Sequence, residues 1–381
     1  MRLKPGTPTG GRAARRRAKA AAALLAALAL AAFAGCGDDD DGDGTAGGGG
    51  GELQIALLLP ETKTSRYEAH DRPEFEAKVK ELCEECSVIY SNANQSTSEQ
   101  QSQGEAALTQ GADVLVLDAV DATAVGSVVR KANDEGVPVV SYDRLILGAP
   151  IDYYISFDNE KVGELQGETL SERLRQDGNP KGPIVMINGS PTDPNAGQFK
   201  AGAQKVFDEE GVKVAKEYDT PDWSPDQAQN EMEQAITALG NGGFAAVYAA
   251  NDGTAGGAIA AMKSAGIEPA SRPVTGQDAE LEAIQRILVG EQFMTVYKAI
   301  EPEAEAAAEI AVALARGEDV PDGLVNGEVD NEAGQVPSVL LEPVAVTKDN
   351  VKSTVVKDGF WPVKEICTGR YKAACRKAGI G

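Results

Sequence analysis

Histidine is almost missing from this chain: His70 is the only one among 381 residues. A single imidazole rules out metal sites built from several histidines, and most catalytic triads that depend on histidine. The sequence also lacks the G-x-S-x-G, H-E-x-x-H and phosphate-loop motifs. These absences argue against an enzyme.

Basic residues are scarce outside the N-terminal segment. The first 35 residues hold 7 of the 36 Lys and Arg and none of the 59 Asp and Glu, so the remaining chain has a formal charge of −30. A surface this acidic argues against nucleic-acid binding, which requires basic patches. The composition fits an exported globular protein.

The sequence also lacks an apolar run of membrane-spanning length. The run from Ala20 to Ala34 is too short for a comfortable membrane span. A basic region with Arg12, Arg15, Arg16, Arg17 and Lys19 precedes it, and it ends in Phe33-Ala34-Gly35-Cys36, which resembles a lipobox. We expect residues 1–35 to be a lipoprotein signal peptide and Cys36 to be lipidated. An uncleaved anchor and a plain signal peptide remain alternatives.

An acidic, glycine-rich tether is expected over residues 36–51. Asp39, Asp41, Asp43 and Gly44 mimic the start of an EF-hand loop, which requires an acid where this chain has Gly50. We therefore predict no metal site and no cofactor.

Cysteine is sparse, with five residues. Once Cys36 is assigned to the lipid, Cys83 and Cys86 form one close pair and Cys367 and Cys375 form another. In an oxidising location both pairs are expected to form local disulfides. For the first pair a redox or metal motif is the alternative, although no further cysteine or histidine supports a metal.

Short β-rich runs alternate with amphipathic helical patterns from Gln54–Leu59 to Thr295–Tyr297, followed by a helix over Glu301–Arg316 and a strand-like Ser338–Val346. Alternation of this kind predicts an α/β protein with parallel sheets covered on both faces. About 300 residues exceed one comfortable core, so two domains are expected.

Polar side chains follow the predicted strands, where a parallel sheet presents its ligand-binding loops. Aromatic rings can cover apolar faces of a ligand, and charged side chains form strong hydrogen bonds to its polar groups. Residues of both kinds occur in the segments that follow strands: Lys63, Arg66, Tyr67, Asp143, Arg144, Asn195, Trp223, Asn251, Asp278 and Lys298.

Three motifs carry a resemblance to a known family, namely Phe157-Asp158-Asn159-Glu160-Lys161-Val162-Gly163-Glu164-Leu165-Gln166, Asn251-Asp252-Gly253-Thr254-Ala255-Gly256-Gly257-Ala258-Ile259 and Gly276-Gln277-Asp278-Ala279. In order and spacing they resemble the D-xylose-binding proteins of bacterial sugar ABC transporters, from about Leu53 to Trp361. The resemblance implies the type I periplasmic binding protein fold, in which two similar doubly wound parallel-sheet lobes are joined by a three-segment hinge.

The hinge crossings would fall near Phe157–Glu160, Tyr297–Ile300 and Asn326–Gly334. The N-terminal sugar-binding lobe would then comprise residues 52–158 and 299–328. The C-terminal lobe would comprise residues 159–298 and 329–381.

The same resemblance implies that the ten residues named above bind the sugar, with Tyr67 and Trp223 stacking on opposite sides. Tyr67 replaces the family's usual Trp, and Lys200 stands where the family tends to have Arg, which leaves Lys200 an uncertain ligand. Asp252 and Gln277 are expected in supporting roles. Asn195 is also a possible helix cap.

The implied function is an extracytoplasmic receptor that delivers a monosaccharide, first of all D-xylose, to a permease and its ATPase. We expect a monomer held to the membrane only by its lipid. A multiple-sugar receptor for glucose, galactose or arabinose, serving transport, chemotaxis or a sensor kinase, is the main alternative. A glycosidase using Asp143 and Asp278 is disfavoured because neighbouring cations keep both ionised. A sugar repressor of the same fold is also disfavoured, because it would need a helix-turn-helix domain before Leu53, where this chain has the expected signal peptide and acidic tether.

Overall fold

The computed structural model describes residues 52–381. The expected signal peptide, tether and lipidated Cys36 lie outside the described residues. None of the helices within residues 52–381 is both long and apolar enough to cross a bilayer.

Strands and helices alternate as the sequence predicts. The strands are β1 (Leu53–Leu59), β2 (Cys86–Asn92), β3 (Val114–Leu117), β4 (Val139–Tyr142), β5 (Tyr153–Phe157), β6 (Ile184–Asn188), β7 (Val214–Asp219), β8 (Ala246–Ala249), β9 (Met294–Tyr297), β10 (Gly327–Asp330), β11 (Gln335–Leu341) and β12 (Val344–Thr347). The helices are α1 (Arg72–Leu82), α2 (Thr97–Gln110), α3 (Gly126–Glu135), α4 (Asn159–Gln176), α5 (Pro194–Glu210), α6 (Pro225–Leu239), α7 (Asp252–Ser264), α8 (Leu281–Val289), α9 (Ile300–Arg316), α10 (Val363–Ile366) and α11 (Lys372–Lys377).

The first lobe is built on a seven-stranded sheet in the order β10-β11-β5-β4-β3-β1-β2, parallel except for the β10–β11 pair. Successive residues of β1 enter different cores. Leu57 packs with residues of α1 and α9, whereas Leu58 packs with residues of α2 and α3. Both faces of the sheet are therefore covered by helices, which is why its central strands are almost wholly apolar.

The second lobe contains a three-stranded parallel sheet, β7-β6-β8, and the antiparallel pair β12–β9. Parallel bridges from Val247 to Val274 and from Gln277 to Val296 connect these pieces. Helices α4 and α5 cover one face, while α6 and α7 cover the other. Helices α4 and α5 approach so closely that a Cβ on Gly202 would lie 2.1 Å from the Glu160 carbonyl oxygen. The α/β fold class expected from the sequence is confirmed.

Three segments connect elements of the first sheet with elements of the second lobe. Two of them join β5 to α4 and β9 to α9, and they include the expected crossings Phe157–Glu160 and Tyr297–Ile300. The third lies between β11 and β12, because β11 pairs with β5 and β12 pairs with β9. The expected crossing at Asn326–Gly334 and the lobe boundary at 328 are therefore corrected. That segment is the β10–β11 hairpin, and Pro343, which has no N–H to donate, separates the two strands.

Both expected cysteine pairs lie at disulfide distance, with Cα–Cα separations of 5.3 Å for Cys83–Cys86 and 5.8 Å for Cys367–Cys375. The first pair joins the end of α1 to β2. The second joins the short helices α10 and α11, which pack against α8 through a core that includes Ile284 and Ile366.

Candidate functional site

A polar cavity lies between the lobes, where the carboxyl ends of their strands meet. The space between its walls amounts to about 290 Å³ including open solvent, and only about 20 Å³ of it admits the centre of a water-sized sphere. It is lined by Thr64, Arg66, Tyr67, Asp143, Arg144, Asp193, Asn195, Phe199, Trp223, Asn251, Gln277, Asp278 and Lys298.

The loop after β1 supplies the first wall. The buried Glu61 carboxylate accepts hydrogen bonds from the backbone N–H groups of Lys63 and Thr64 and so turns the loop toward the cavity. A π-helical turn over Tyr67–Asp71 follows, at the entrance to α1. π-Helical turns are rare overall, and those that occur are often found at functional sites. This one places Arg66 and Tyr67 against the strands of the same lobe.

Arg66 is held by two buried carboxylates. Its Nε donates to Asp71 at 2.9 Å, and its Nη2 donates to Asp71 at 2.5 Å and to Glu303 at 2.7 Å. Tyr142 donates to the same Asp71 oxygen at 2.6 Å. The third guanidinium nitrogen, Nη1, lies 3.4 Å from Asp143 and is thus the part of Arg66 nearest another cavity-lining group.

Asp143 occupies the centre of the site. The Tyr67 hydroxyl donates to its carboxylate at 3.2 Å, and the Lys298 ammonium lies 3.9 Å away. Asn195 of the second lobe donates to its backbone carbonyl at 3.0 Å. Burial alone would raise the pKa of Asp143, but Arg66, Lys298 and Arg144 together lower it to about 2. The carboxylate is therefore an ionised acceptor at neutral pH.

Arg144 links the two lobes through Asp193. Its Nε lies 3.0 Å from the Asp193 carboxylate and its Nη2 donates to the Tyr67 hydroxyl at 3.2 Å. The 3.0 Å approach is close for an ion pair, although the Nε–H is not aligned as a hydrogen bond. Asp193 also accepts from the Trp223 indole N–H at 3.0 Å, so one carboxylate orients an arginine and an aromatic ring.

Trp223 lies over the loop that follows β6. A Cβ on Gly189 would lie 2.0 Å from the indole ring, so only glycine leaves room for it. Phe199 stands 6.4 Å away, centroid to centroid, and lines the same cavity. The aromatic partner of Trp223 is thus Phe199 of its own lobe, and Tyr67 contributes a hydroxyl that ties Asp143 to Arg144.

Amide side chains of the second lobe present acceptors in the site. Asn251 caps α7 in a capping box with Thr254, which engages its Oδ1. Within residues 52–381, the buried Oδ1 of Asn195 and Oε1 of Gln277 have no hydrogen-bond partner. Both oxygens belong to residues of the cavity wall, and a ligand with O–H or N–H donors would satisfy them.

Backbone strain also concentrates here. Asp143, Trp223 and Asp278 have φ values of 54°, 52° and 89°, in a region that residues other than glycine rarely adopt. Each follows a strand or short turn and lines the cavity. Strain of this kind is retained where it serves a function, because it costs roughly 1–3 kcal/mol per residue.

Direct contacts close the rim. Ala122 N–H donates to the Thr192 carbonyl at 3.3 Å, and the Thr192 hydroxyl donates to the Val120 carbonyl at 3.2 Å. On the other side, Lys63 Nζ and Gln95 Nε2 reach the Asp222 carbonyl at 3.5 and 3.4 Å. The structure therefore shows the lobes closed on each other.

Nine of the ten residues singled out in the sequence line this cavity; Lys63 is the exception and lies at the rim. Lys200 points elsewhere and pairs with Glu217 and with Asp219, the latter at 3.2 Å. Asn195 does not cap its helix, because Asp193 holds the cap position.

Sequence reasoning missed Thr64, Asp193 and Phe199 and gave Gln277 only a supporting role. The dipeptide Asp193-Pro194 is a helix-start signal that would have identified Asp193. Phe199 follows Asn195 by four residues, which places both on the same face of α5.

A cavity closed between two α/β lobes, at the point where the chain crosses between them, defines a solute-binding protein. Residues 55–319 match the family model described as periplasmic binding protein domain, and the chain belongs to this family. Members bind solutes and are not enzymes.

The resemblance to D-xylose-binding proteins is confirmed. The chain is 40% identical to the D-xylose-binding periplasmic protein of Escherichia coli (strain K12), over 83% of this chain and 93% of that protein. It is 35% identical to the multiple sugar-binding periplasmic receptor ChvE of Rhizobium radiobacter, over 70% and 80% of the two chains. A solved ABC transporter solute-binding protein from Clostridium phytofermentans with bound β-D-glucose superposes with a TM-score of 0.74 at 28% identity, covering 82% of this chain and 99% of that one.

Proposed function

We propose that the protein binds a neutral monosaccharide, D-xylose first of all, between its lobes and presents it to an ABC importer. The observation that carries this proposal is the lining of the cavity. Planar and charged groups, such as Arg66, Asp143 and Asp278, surround a space that also contains the aromatic faces of Trp223 and Phe199. Charged partners hydrogen-bond hydroxyls more strongly than neutral ones, and rings cover C–H faces.

The charge balance supports a neutral ligand. Arg66, Arg144 and Lys298 are the cations of the lining, and Asp143, Asp193 and Asp278 are its acids. Each cation is already within 4 Å of a carboxylate. A sugar phosphate or sugar acid would bring a further negative charge next to these acids. Hydroxyl groups add no charge and serve both as donors and as acceptors.

The proposed mechanism is a hinged clamp. The wall of the first lobe carries Arg66, Tyr67, Asp143 and Arg144. The wall of the second lobe carries Asn195, Trp223, Asn251 and Asp278. A sugar that bonds both walls favours the closed arrangement, because only that arrangement satisfies every contact. With the third crossing corrected, we propose that the lobes comprise residues 52–158 plus 299–341 and residues 159–298 plus 342–381.

The size of the ligand is the next part of the proposal. The closed walls leave only about 20 Å³ for the centre of a water-sized sphere, so a longer saccharide has no room between them. Pentose and hexose differ by one hydroxymethyl group, which a shaped pocket discriminates by roughly 1–3 kcal/mol. The 40% identical D-xylose-binding relative favours the pentose, and the 35% identical multiple-sugar receptor makes a broader hexose and pentose receptor the second candidate.

Export follows from the family, and we propose that Cys36 carries a lipid that keeps a monomeric receptor near its permease. The Phe33-Ala34-Gly35-Cys36 segment supports this. Metabolic labelling with a tagged palmitate analogue is expected to mark the protein and to leave Cys36→Ser unmarked. Labelling that persists in Cys36→Ser would disprove the anchor.

The two tryptophans provide a direct test of sugar binding. Trp223 lines the cavity, whereas Trp361 donates to the Ala279 carbonyl at 2.8 Å and lies outside it. In Trp361→Phe, addition of D-xylose is expected to change the emission of Trp223 with saturation. An unchanged emission with D-xylose, D-glucose, D-galactose and L-arabinose, in a protein that unfolds cooperatively, would contradict the proposal.

A further inference from the structure

The five N–H donors of Arg66 are divided unequally. Three of them, on Nε and Nη2, are directed at Asp71 and Glu303. The two on Nη1 make no hydrogen bond to any group within residues 52–381, and Nη1 is the nitrogen 3.4 Å from the cavity-lining Asp143. The guanidinium is therefore fixed from behind and keeps one nitrogen available on the cavity side.

Glu303 stands out in its helix. It is fully buried, and the other buried residues of α9 are Ile, Ala and Val. The helix follows the second crossing and packs against α1, which begins just after the π-helical turn. Burying a carboxyl costs several kcal/mol unless it is well paired, and an apolar residue of similar volume is often at least as stable. Stability alone does not account for an acid at this position.

We propose that Glu303 is a positioning residue for sugar binding: it fixes the plane of the Arg66 guanidinium so that Nη1 donates both of its N–H groups to adjacent sugar hydroxyls. This inference rests on the proposed function, because it assigns Arg66 to the sugar. Glu303 itself does not line the cavity and touches the ligand only through Arg66.

The role requires an acceptor oxygen at this position and does not require a charge. Burial raises the pKa of Glu303, while Arg66 opposes that rise, and Asp143 and Asp71 add to it. Three carboxyls around one guanidinium do not all need to be ionised. Glutamine keeps an oxygen at the same reach, whereas leucine keeps the volume and removes the acceptor.

The test compares Glu303→Gln and Glu303→Leu with matched changes at Glu305, two residues along the same helix. Glu305 is partly exposed and lies 3.7 Å from Lys78, away from the cavity. With D-xylose in calorimetric titration, we expect Glu303→Leu to weaken affinity about tenfold or more and Glu303→Gln to stay within about threefold. Glu305→Leu and Glu305→Gln are expected to leave affinity unchanged. Tenfold corresponds to roughly 1.4 kcal/mol.

A double-mutant cycle separates positioning from a purely structural role. If Glu303 acts through Arg66, the change Glu303→Leu has no further effect on affinity once Arg66→Met is present. A structural role would lower the melting temperature and the affinity in both backgrounds. Equal losses in the two backgrounds would overturn the inference.

The remaining outcomes are also decisive. If the unaltered protein binds D-xylose and Glu303→Leu binds it equally well, the inference is wrong and the proposed function stands. If the unaltered protein binds no monosaccharide, the proposed function fails first. Should Glu303→Leu not fold, Glu303→Asp withdraws the carboxyl by one methylene and is expected to lose affinity that Glu303→Gln retains. Full affinity in Glu303→Asp would then overturn the inference.

Discussion

Asparagine at position 143 tests the electrostatic centre of the site. Asp143→Asn keeps the shape of a side chain that is 3% exposed, removes its charge and replaces one acceptor oxygen by an amide NH₂ group. The pKa of Asp143 is lowered from 3.8 to about 2, which corresponds to roughly 2 kcal/mol favouring the folded state at neutral pH. We expect the variant to lose a free energy of unfolding of that order at pH 7.

The pH dependence has a definite sign. Because the folded pKa of Asp143 lies below the unfolded one, its stabilisation is present above about pH 4 and disappears as the pH falls toward 2. The difference in unfolding free energy between the protein and Asp143→Asn should therefore shrink over that window. Denaturant unfolding at a series of pH values measures it, and Asp322→Asn, at an exposed position, is the matched control.

Sugar affinity should fall as well, by a free energy similar to the loss of stability. Hydrogen bonds to a charged group contribute roughly 1.5–3 kcal/mol, so losing one weakens D-xylose binding about 10- to 100-fold. Calorimetric titration of Asp143→Asn and of the control provides the comparison. Affinity within twofold of the unaltered protein, together with an unfolding difference that does not change between pH 7 and pH 2, would refute the assignment of Asp143 as the ionised centre.

Three further changes probe other parts of the structure. Lys298→Ala should weaken D-xylose binding at least thirtyfold, because it leaves Asp278, 3.2 Å from the ammonium, without its cation. Lys63→Ala at the rim should change the affinity less than threefold. A calorimetric titration showing the reverse order would contradict the placement of both lysines. Burial raises the pKa of Asp252 to about 7, so its contribution to the free energy of unfolding should decline as the pH rises from 4 to 7. In Asp252→Asn the free energy of unfolding should lack this decline. Identical pH dependence in the two proteins would disprove the shift. Replacing Cys367 and Cys375 by Ser should lower the melting temperature and leave the sugar dissociation constant within twofold, since the pair lies in the tail packed on α8; a large loss of affinity would show that the tail supports the cleft.

Local sequence patterns were sufficient for five strands of the first-lobe sheet, β1 to β5. Its central strands are continuous apolar runs such as Ile55–Leu59, because both faces are covered, and polar residues appear where each strand ends. The loops after these strands carry Asp143 and Arg144, so the order of strands and ligands could be inferred together.

Pairing between distant strands could not be inferred in the same way. Ser338–Val346 reads as one apolar strand, yet its first part pairs with β5 and its last part with β9. Only Pro343 marks the break locally. The strand expected at Pro273–Gly276 is reduced to single bridges at Val274 and Gln277.

The composition of the cavity wall also depends on tertiary contacts. Asp193 faces Arg144 only because the lobes close, and Glu303 meets Arg66 across 237 positions of sequence. Tyr67 occupies a position where stacking was expected, but its hydroxyl is bound by Asp143 and Arg144. No local pattern reports such pairs, so these roles required the structure.

Calorimetric titration of the purified protein with D-xylose and then D-glucose tests the central claim most directly. The account predicts one-to-one binding of D-xylose, with D-glucose weaker by about 10- to 100-fold, the discrimination expected for one hydroxymethyl group. Tighter binding of D-glucose would contradict the pentose assignment. Absence of binding by either sugar in a folded protein would contradict the claim that this cleft is a monosaccharide site.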